Sequence, residues 1–454
     1  MEDSDFIKEI HSYFKNKKYV HITHLSVMVS NVFYTYMFIN YCDNKSAEAK
    51  TSTLLIIIET QRHCMNHIAR LTFLLCTISG SLNTFAAGSI TDRLDAHVKA
   101  YFKRGLFSGS VLVAKSGNVL LSRGYGKSDY AQGTPNTPHT KFRLGSVSKQ
   151  FTALAIMQLQ EQGRLNESNP LSTYIPDYPN GKNITIHHLL THTSGIPNYT
   201  SLAHCEKNKA QPRSITRLIS TFKNKKLEFK PGSQYKYSNS GYVLLTYIIE
   251  QVSGESYESF IQKHIFWPLR MTSSGYDANQ QQIQDKACGY VVKQHHLTYA
   301  DPVDMSYYAG AGALYSTVED LYRWDRALHS NVLVSYTALD KIFTPWVHTP
   351  AYNQTNESAY GYGWRIGKPC QHPVVGHCGG IEGFSTLIRR YPKDDACIII
   401  LSNIRNSTVQ RLSQDLAKIV LGQHTIVSIP AKKQPCKACA KRKKRKPCCL
   451  KSHQ

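Results

Sequence analysis

LGSVSKQF, residues 144–151, places a serine and a lysine at the start of a long apolar segment. Ser146 and Lys149 are three residues apart, so they lie on the same face of a helix. Because apolar residues continue to Leu159 and Gly163 is a typical stop signal, the pattern predicts a buried helix from Ser146 to Gly163. Two interpretations remain open for this pair. Either Ser146 caps the helix and Lys149 reaches solvent, or burial and the helix N-terminus lower the pKa of Lys149 and make it a base.

Two later segments carry further polar groups that could act with this pair. YKYSNSGY, residues 235–242, holds Tyr237 and Asn239 two positions apart, a spacing that directs both side chains the same way in an extended loop. GHCGGIEGF, residues 376–384, follows His377 with glycines. Glycines allow a substrate to approach the backbone closely, and their free amides can bind an oxyanion.

The three segments in this order resemble the signatures S-x-x-K, Y-x-N and H-x-G of the serine β-lactamase and penicillin-binding-protein superfamily. ITIHHLLTHTSGIPNY (residues 184–199), YSNSGYVLL (237–245) and GALYSTVEDLYRW (312–324) are also similar to class C β-lactamases and D-Ala-D-Ala carboxypeptidases. The resemblance covers about residues 95–425, nearly three quarters of the chain.

The resemblance implies a role for each matching residue. Ser146 would be the nucleophile that forms an acyl-enzyme, and Lys149 and Tyr237 would share the proton transfers. Asn239 would orient Lys149 and bind the substrate amide. The backbone N–H groups of Ser146 and Gly380 would form the oxyanion hole. No metal and no cofactor is implied.

The third signature departs from the lysine form found in many β-lactamases. His377 is mostly neutral at pH 7, unlike a lysine, and would bind substrate together with Gly379. The H-x-G form is familiar from carboxypeptidase-like and aminopeptidase-like members, so the resemblance favours a peptidase over an efficient β-lactamase. Cys378 stands where relatives often have threonine, and it is a weak alternative nucleophile.

The order of elements predicts an α+β fold with an antiparallel sheet flanked by helices and a mostly helical second lobe. SGSVLVAKSGNVLLSRGYGKSD (108–129) indicates two strands joined at Ser116-Gly117. PVVGHCGGIEGFSTLIRRY (373–391) and CIIILSN (397–403) indicate strands near the other end, and STVQRLSQDLAKIVLG (407–422) a closing helix. The sheet would therefore be assembled from both ends of residues 88–425, with the active site in the cleft between the lobes.

The first 87 residues contain a targeting pattern. MNHIARLTFLLCTISGSLNTFAAGS, residues 65–89, has the layout of a secretory signal peptide cut after Ala86, which predicts an exported, periplasmic or secreted enzyme. An ordinary buried helix is the alternative for this stretch. Residues 1–64 would then be a doubtful extension, with translation starting at Met65. Residues 21–41, which lack charged side chains, offer a membrane anchor instead. N-terminal sequencing of the mature protein distinguishes the two.

A basic, cysteine-rich tail, residues 426–454, accounts for much of the formal charge of +23, since it holds eight Lys, two Arg and no acidic residue. The run KRKKRK (441–446) has no interleaved aromatic residues, so we expect loose contact with anionic polymers or membrane and no specific nucleic acid. Four tail cysteines could hold zinc, although no apolar residues surround them to form a folded knuckle: Cys436, Cys439, Cys448 and Cys449. His188 and His192 also have a metal-ligand spacing, but no glutamate follows His188 as in a zinc protease.

These observations predict a serine hydrolase for a small peptide, ester or β-lactam, most like a carboxypeptidase or D-amino-acid peptidase. A β-lactamase or esterase on the same site is the alternative within this class. A catalytically silent penicillin- or cell-wall-binding protein is the alternative from another class. The composition, with 41% apolar and 19% charged residues, is that of a globular chain and excludes a disordered one.

Overall fold

The computed structural model describes residues 89–278, 282–294, 296–350, 357–368, 372–405 and 408–422. The predicted N-terminal extension, signal-peptide-like segment, membrane-anchor alternative and basic tail lie outside these residues. Among the helices of the described ranges, none is both long enough and apolar enough to cross a membrane.

An eight-stranded antiparallel sheet forms one lobe, as predicted. In spatial order its strands are β10 (Val347–His348), β11 (Glu357–Tyr360), β12 (Arg365–Gly367), β13 (Val374–Ile381), β14 (Phe384–Tyr391), β15 (Ala396–Ser402), β1 (Gly109–Lys115) and β2 (Asn118–Tyr125). β1 pairs with β15 from Gly109 opposite Ser402 to Lys115 opposite Ala396. The sheet is therefore assembled from both ends of the described chain. The predicted hairpin turn is present, with Ser116 and Gly117 both in the left-handed region.

Short strands complete the β-structure. They are β3 (Lys127–Asp129), β4 (Thr134–Pro135), β5 (Phe142–Arg143), β6 (Gly275–Tyr276), β7 (Tyr290–Lys293), β8 (His296–Tyr299) and β9 (Leu314–Ser316). β5, β9 and β6 form a separate three-stranded sheet. Arg143 of β5 pairs with Tyr315 of β9, which fixes the chain just before Ser146.

Two helices cover one face of the large sheet. α1 (Ile90–Lys103) and the predicted closing helix, here α10 (Thr408–Val420), share an apolar cluster with the strands. The other α-helices in the described residues are α2 (Ser148–Glu161), α3 (Ile186–Leu190), α4 (Ala203–Lys207), α5 (Ile215–Ser220), α6 (Asn239–Ser253), α7 (Tyr257–Ile261), α8 (Val318–Ala327) and α9 (Tyr336–Phe343). α3 to α7 all come from the middle of the chain, where the helical lobe is predicted.

Helix α2 is buried on all its sides from Ser148 to Leu159. Phe151 on this helix stacks on Trp324 of α8 with 4.3 Å between ring centroids. A helix that is enclosed by apolar neighbours does not require a polar face, which explains why the burial of α2 is nearly continuous. Packing on every side therefore holds the residues at the N-terminus of α2 in place.

The predicted start of this helix is wrong by two residues. Gly145–Val147 forms a 3₁₀ turn, α2 begins at Ser148, and no side chain caps it. Ser146 is therefore not the N-cap that one interpretation of the sequence made it. The C-terminal prediction is confirmed, because Gly163 follows the helix with a φ of +69°.

Candidate active site

Ser146 lies in the 3₁₀ turn between β5 and α2, where its side chain is half-buried. The residue before it, Gly145, has a φ of +54°, and a Cβ at that position would lie 3.0 Å from the backbone nitrogen of Gly380. Glycine relieves both constraints, since it adopts positive φ readily and has no Cβ. Strand β13 therefore passes close to the turn that carries Ser146.

Lys149 lies one turn further along, with none of its surface exposed. Its Nζ is 3.2 Å from Ser146 Oγ, 2.8 Å from Asn239 Oδ1 and 2.7 Å from the carbonyl oxygen of Ala311. Burial, followed by the charge of Arg365, holds the pKa of Lys149 well below its ordinary value of 10.5. The exposed lysine of the alternative interpretation is thereby excluded.

The Tyr-x-Asn segment lies at the start of α6. The Asn239 side chain has a fixed orientation, because its Oδ1 accepts from Lys149 and its Nδ2 donates to Thr200 Oγ1 at 3.2 Å. The backbone N–H of Asn239 donates to Asn198 Oδ1 at 3.0 Å. Tyr237 is half-buried, and its ring centroid lies 5.0 Å from Lys149 Nζ. The structure thus brings the first two signatures together around one amine.

His377 lies on β13 with both ring nitrogens in hydrogen bonds. Nδ1 is 2.7 Å from the carbonyl oxygen of Cys378 and must donate to it. Nε2, 2.9 Å from the hydroxyl of Tyr360, then accepts. Burial, followed by the charges of Arg365 and Lys149, holds the pKa of His377 well below 6.5. His377 is accordingly a neutral ring, fixed in one tautomer.

Cys378 and Gly379 face opposite sides of β13. A Cβ at Gly379 would lie 1.9 Å from the carbonyl oxygen of Leu144, so glycine lets the strand contact the turn before Ser146. Cys378 faces α10, where Gln410 Nε2 donates to its Sγ at 3.2 Å. Burial raises the pKa of the Cys378 thiol to about 11, so the thiolate is scarce at neutral pH. The weak alternative of a cysteine nucleophile loses support.

A cavity of about 550 Å³ opens at this point. Its lining includes Ser146, Tyr237, Asn239 and His377, and none of the described residues that line it is an aspartate or glutamate. Within the described part of the chain the lining holds no lysine either, whereas two arginines, Arg365 and Arg405, border the cavity. The charges that border the cavity are therefore positive, which favours an anionic ligand.

Arg365 is a site residue that sequence reasoning missed. It stands opposite Gly376 at the register between β12 and β13, and only 7% of its surface is exposed. Its guanidinium carbon lies 5.9 Å from the ring centroid of Tyr237 and 5.8 Å from that of Tyr360. The sequence offered one indication of its role: Arg365 lies near the end of the aromatic and glycine-rich run YGYGWRI, residues 360–366.

The two histidines with metal-ligand spacing, His188 and His192, accept hydrogen bonds from different backbone N–H groups. His188 Nδ1 accepts from the N–H of Thr185, and His192 Nδ1 accepts from the N–H of Ser238, both at 3.2 Å. Within the described ranges, no group of three or more His, Cys, Asp or Glu residues is arranged to hold a metal ion.

Comparison with known proteins identifies the family. The family model described as Beta-lactamase matches residues 92–422. The chain belongs to the Beta-lactamase family. Members of this family are typically serine hydrolases that act on amide, peptide or β-lactam substrates, and the recognition made from the three signatures is confirmed.

Within the Beta-lactamase family, the chain is similar to two proteins of Bacillus subtilis (strain 168). It is 35% identical to a putative penicillin-binding protein, PbpX, over 68% of this chain and 74% of that protein. It is 32% identical to penicillin-binding protein 4*, over 72% of this chain and 76% of that protein. The crystal structure of a penicillin-binding protein from Bacillus halodurans is 29% identical, with a TM-score of 0.63 over 71% of this chain and 97% of that one.

Proposed function

We propose that this chain is a serine acyl hydrolase that forms an acyl-enzyme at Ser146 and releases an amine bearing a carboxylate, as a carboxypeptidase or D-amino-acid peptidase does. The observation that carries the proposal is the Lys149 amine, fully buried and 3.2 Å from Ser146 Oγ. A neutral amine has two hydrogens, which go to Asn239 Oδ1 and the Ala311 carbonyl. Its lone pair is then directed at the Ser146 hydroxyl.

In the acylation step, Ser146 Oγ attacks the substrate carbonyl carbon while its proton passes to Lys149 Nζ. The carbonyl oxygen becomes an anion that accepts hydrogen bonds from the backbone N–H groups of Ser146 and Gly380. When the tetrahedral intermediate collapses, the carbon–nitrogen bond breaks and the leaving amine takes a proton through Tyr237. Water then hydrolyses the ester. Lys149 and Tyr237 share the proton transfers.

Charge at the cavity supports a substrate with a carboxylate. Since His377 is neutral and hydrogen-bonded at both nitrogens, it supplies no permanent cation. Arg365 supplies one on the neighbouring strand, and an arginine matches a carboxylate with two parallel hydrogen bonds. His377 and Gly379 would shape the edge of β13 along which the substrate lies.

The test is hydrolysis of an acylated dipeptide with a free C-terminal carboxylate, in its L,L and D,D forms, beside the same dipeptide with a C-terminal amide. We expect release of the terminal amino acid from the free acid, with the carboxamide at least tenfold poorer in kcat/KM. In Arg365→Gln this preference should fall toward unity, since one charged hydrogen-bonded pair contributes about 1.5–3 kcal/mol.

Other outcomes would replace the proposal. Equal kcat/KM values for the free-acid dipeptide and its carboxamide would mean that Arg365 does not recognise the substrate carboxylate. Turnover of a chromogenic β-lactam without peptide cleavage would make the protein a β-lactamase, and turnover of simple esters alone would make it an esterase. Inertness toward all of these substrates would favour a binding-only protein.

A further inference from the structure

His192 has a backbone conformation that is uncommon for residues other than glycine. Its φ is +59°, in the left-handed region, and only 2% of its surface is exposed. Only a few per cent of non-glycine residues adopt this region, with asparagine, aspartate and histidine the more frequent among them, because Cβ approaches the following carbonyl. Strain of this kind persists only where surrounding contacts hold the residue in place.

The contacts of His192 converge on the segment that carries Tyr237. Its Nδ1 accepts from the N–H of Ser238 at 3.2 Å, and its carbonyl oxygen accepts from the N–H of Lys236 at 3.0 Å. Its ring lies against the ring of Tyr237, with 4.3 Å between centroids and an angle of 39°. One residue therefore holds Tyr237 by its ring and by the backbone on both sides.

We propose that His192 is a positioning residue that fixes Tyr237 and Asn239 relative to Ser146. Ser238 lies between Tyr237 and Asn239 and directly precedes α6. The hydrogen bond to its N–H therefore fixes the position of the backbone from which both side chains extend. The inference rests on the proposed function, in which Tyr237 transfers a proton and Asn239 orients Lys149. His192 itself touches none of the reacting atoms.

The chemistry of an imidazole suits this position. A phenyl ring would contact Tyr237 equally well but has no acceptor for the Ser238 amide, and an asparagine has an acceptor but no ring. Since Nδ1 accepts, the ring proton is on Nε2 and the ring is neutral. Burial, followed by the charges of Lys149, His377 and Arg365, holds the pKa of His192 well below 6.5, which preserves the neutral form.

Three variants separate the acceptor from the ring and from the strain. His192→Asn keeps an acceptor in a residue that tolerates positive φ. His192→Phe keeps the ring and removes the acceptor. His192→Gly removes both but relieves the backbone strain, so it guards against a Phe variant that fails to fold. The two readouts are the acylation rate of Ser146 by a penicillin, separated from noncovalent binding by varying its concentration, and amide hydrogen exchange of the peptide 235–239.

We expect the Phe and Gly variants to acylate 10- to 100-fold more slowly than the parent protein, with initial binding changed less than threefold. His192→Asn should recover acylation to within about fivefold of the parent, the range expected for a retained hydrogen bond. Exchange in the peptide 235–239 should be faster in Phe and Gly than in Asn, with unfolding temperatures that do not follow the same order.

Parent-like acylation in the Phe or Gly variant would overturn the proposal, as would an Asn variant no better than Phe. Unchanged hydrogen exchange in all three would overturn it as well. If penicillin does not acylate the parent protein, the proposed function is in question, and the exchange data alone decide whether His192 holds the segment.

Discussion

A lysine with no exposed surface lies at the centre of the proposed chemistry. Lys149 Nζ contacts Ser146 Oγ, Asn239 Oδ1 and a backbone carbonyl, and burial lowers its pKa. The S-x-x-K spacing in the sequence was enough to predict that the Ser146 and Lys149 side chains lie close together, although Ser146 lies in the 3₁₀ turn before α2 and not in the helix. It could not decide whether the lysine is exposed, because burial of α2 depends on the helices packed around it.

Substituting Lys149 by methionine should change both catalysis and the pH dependence of stability. The substitution removes the proposed base, so acylation should fall by about 10²–10⁴-fold. Between the lowered pKa and 10.5, the unfolded chain holds a proton on Lys149 that the folded protein lacks, so stability rises with pH there. The parent protein should therefore gain up to about 1.4 kcal/mol per pH unit more than Lys149→Met in this window.

The measurement is urea unfolding of both proteins between pH 7 and 10, compared as the difference in unfolding free energy. Parallel stability curves for the two proteins would contradict a lowered pKa at Lys149. A variant that acylates as fast as the parent would contradict its role as base.

At the scale of elements, the contacts of β13 explain why part of the site was missed in the sequence. The sequence predicted strands on either side of a glycine-rich turn, and the first of them, β13, extends from Val374 to Ile381. Sequence alone did not reveal that Gly379 is in contact with the turn before Ser146, because that contact joins segments more than two hundred residues apart. Arg365 was missed for the same reason: its place beside His377 follows from the pairing of β12 with β13.

Adjacent glycines on this strand should respond differently to alanine. A Cβ at Gly379 would meet the Leu144 carbonyl oxygen at 1.9 Å, a backbone atom that cannot move alone. A Cβ at Gly380 would meet the Nη1 of Arg405 at the same distance, but an arginine side chain can swing away. We expect Gly379→Ala to lower the unfolding free energy by about 1–3 kcal/mol and Gly380→Ala by less than about 0.5 kcal/mol.

Chemical denaturation of the two variants provides this comparison. Equal destabilisation would mean that the contact between β13 and the turn at Leu144 is absent in solution.

At the scale of the whole molecule, a sheet built from both ends of the described residues 89–422 holds a helical lobe inserted between β2 and β10. Strand and helix patterns in the sequence were sufficient for this α+β architecture. The 3₁₀ turn before α2 was not predictable, since it depends on the close approach of Gly145 to Gly380 on a distant strand and not on a side-chain cap.

Deleting residues 426–454 should separate the basic tail from the chemistry. The tail carries ten of the positive charges. Retention of the full chain on heparin or on anionic vesicles should therefore fall steeply as the salt concentration rises. At any one salt concentration, the truncated chain should be retained less than the full chain. Acylation should be unchanged, because the side chains that carry the proposed chemistry, Ser146, Lys149, Tyr237 and Asn239, all belong to the described part of the chain that precedes the tail. Equal retention of both forms would assign the attraction to the folded body instead.

The most direct test of the central claim is the mass of the intact protein after incubation with a penicillin, beside Ser146→Ala. We predict an increase equal to one penicillin in the parent protein and none in the variant, with peptide mapping placing the adduct on Ser146. An adduct of equal amount in both proteins, or one mapped to Cys378, would contradict nucleophilic catalysis by Ser146.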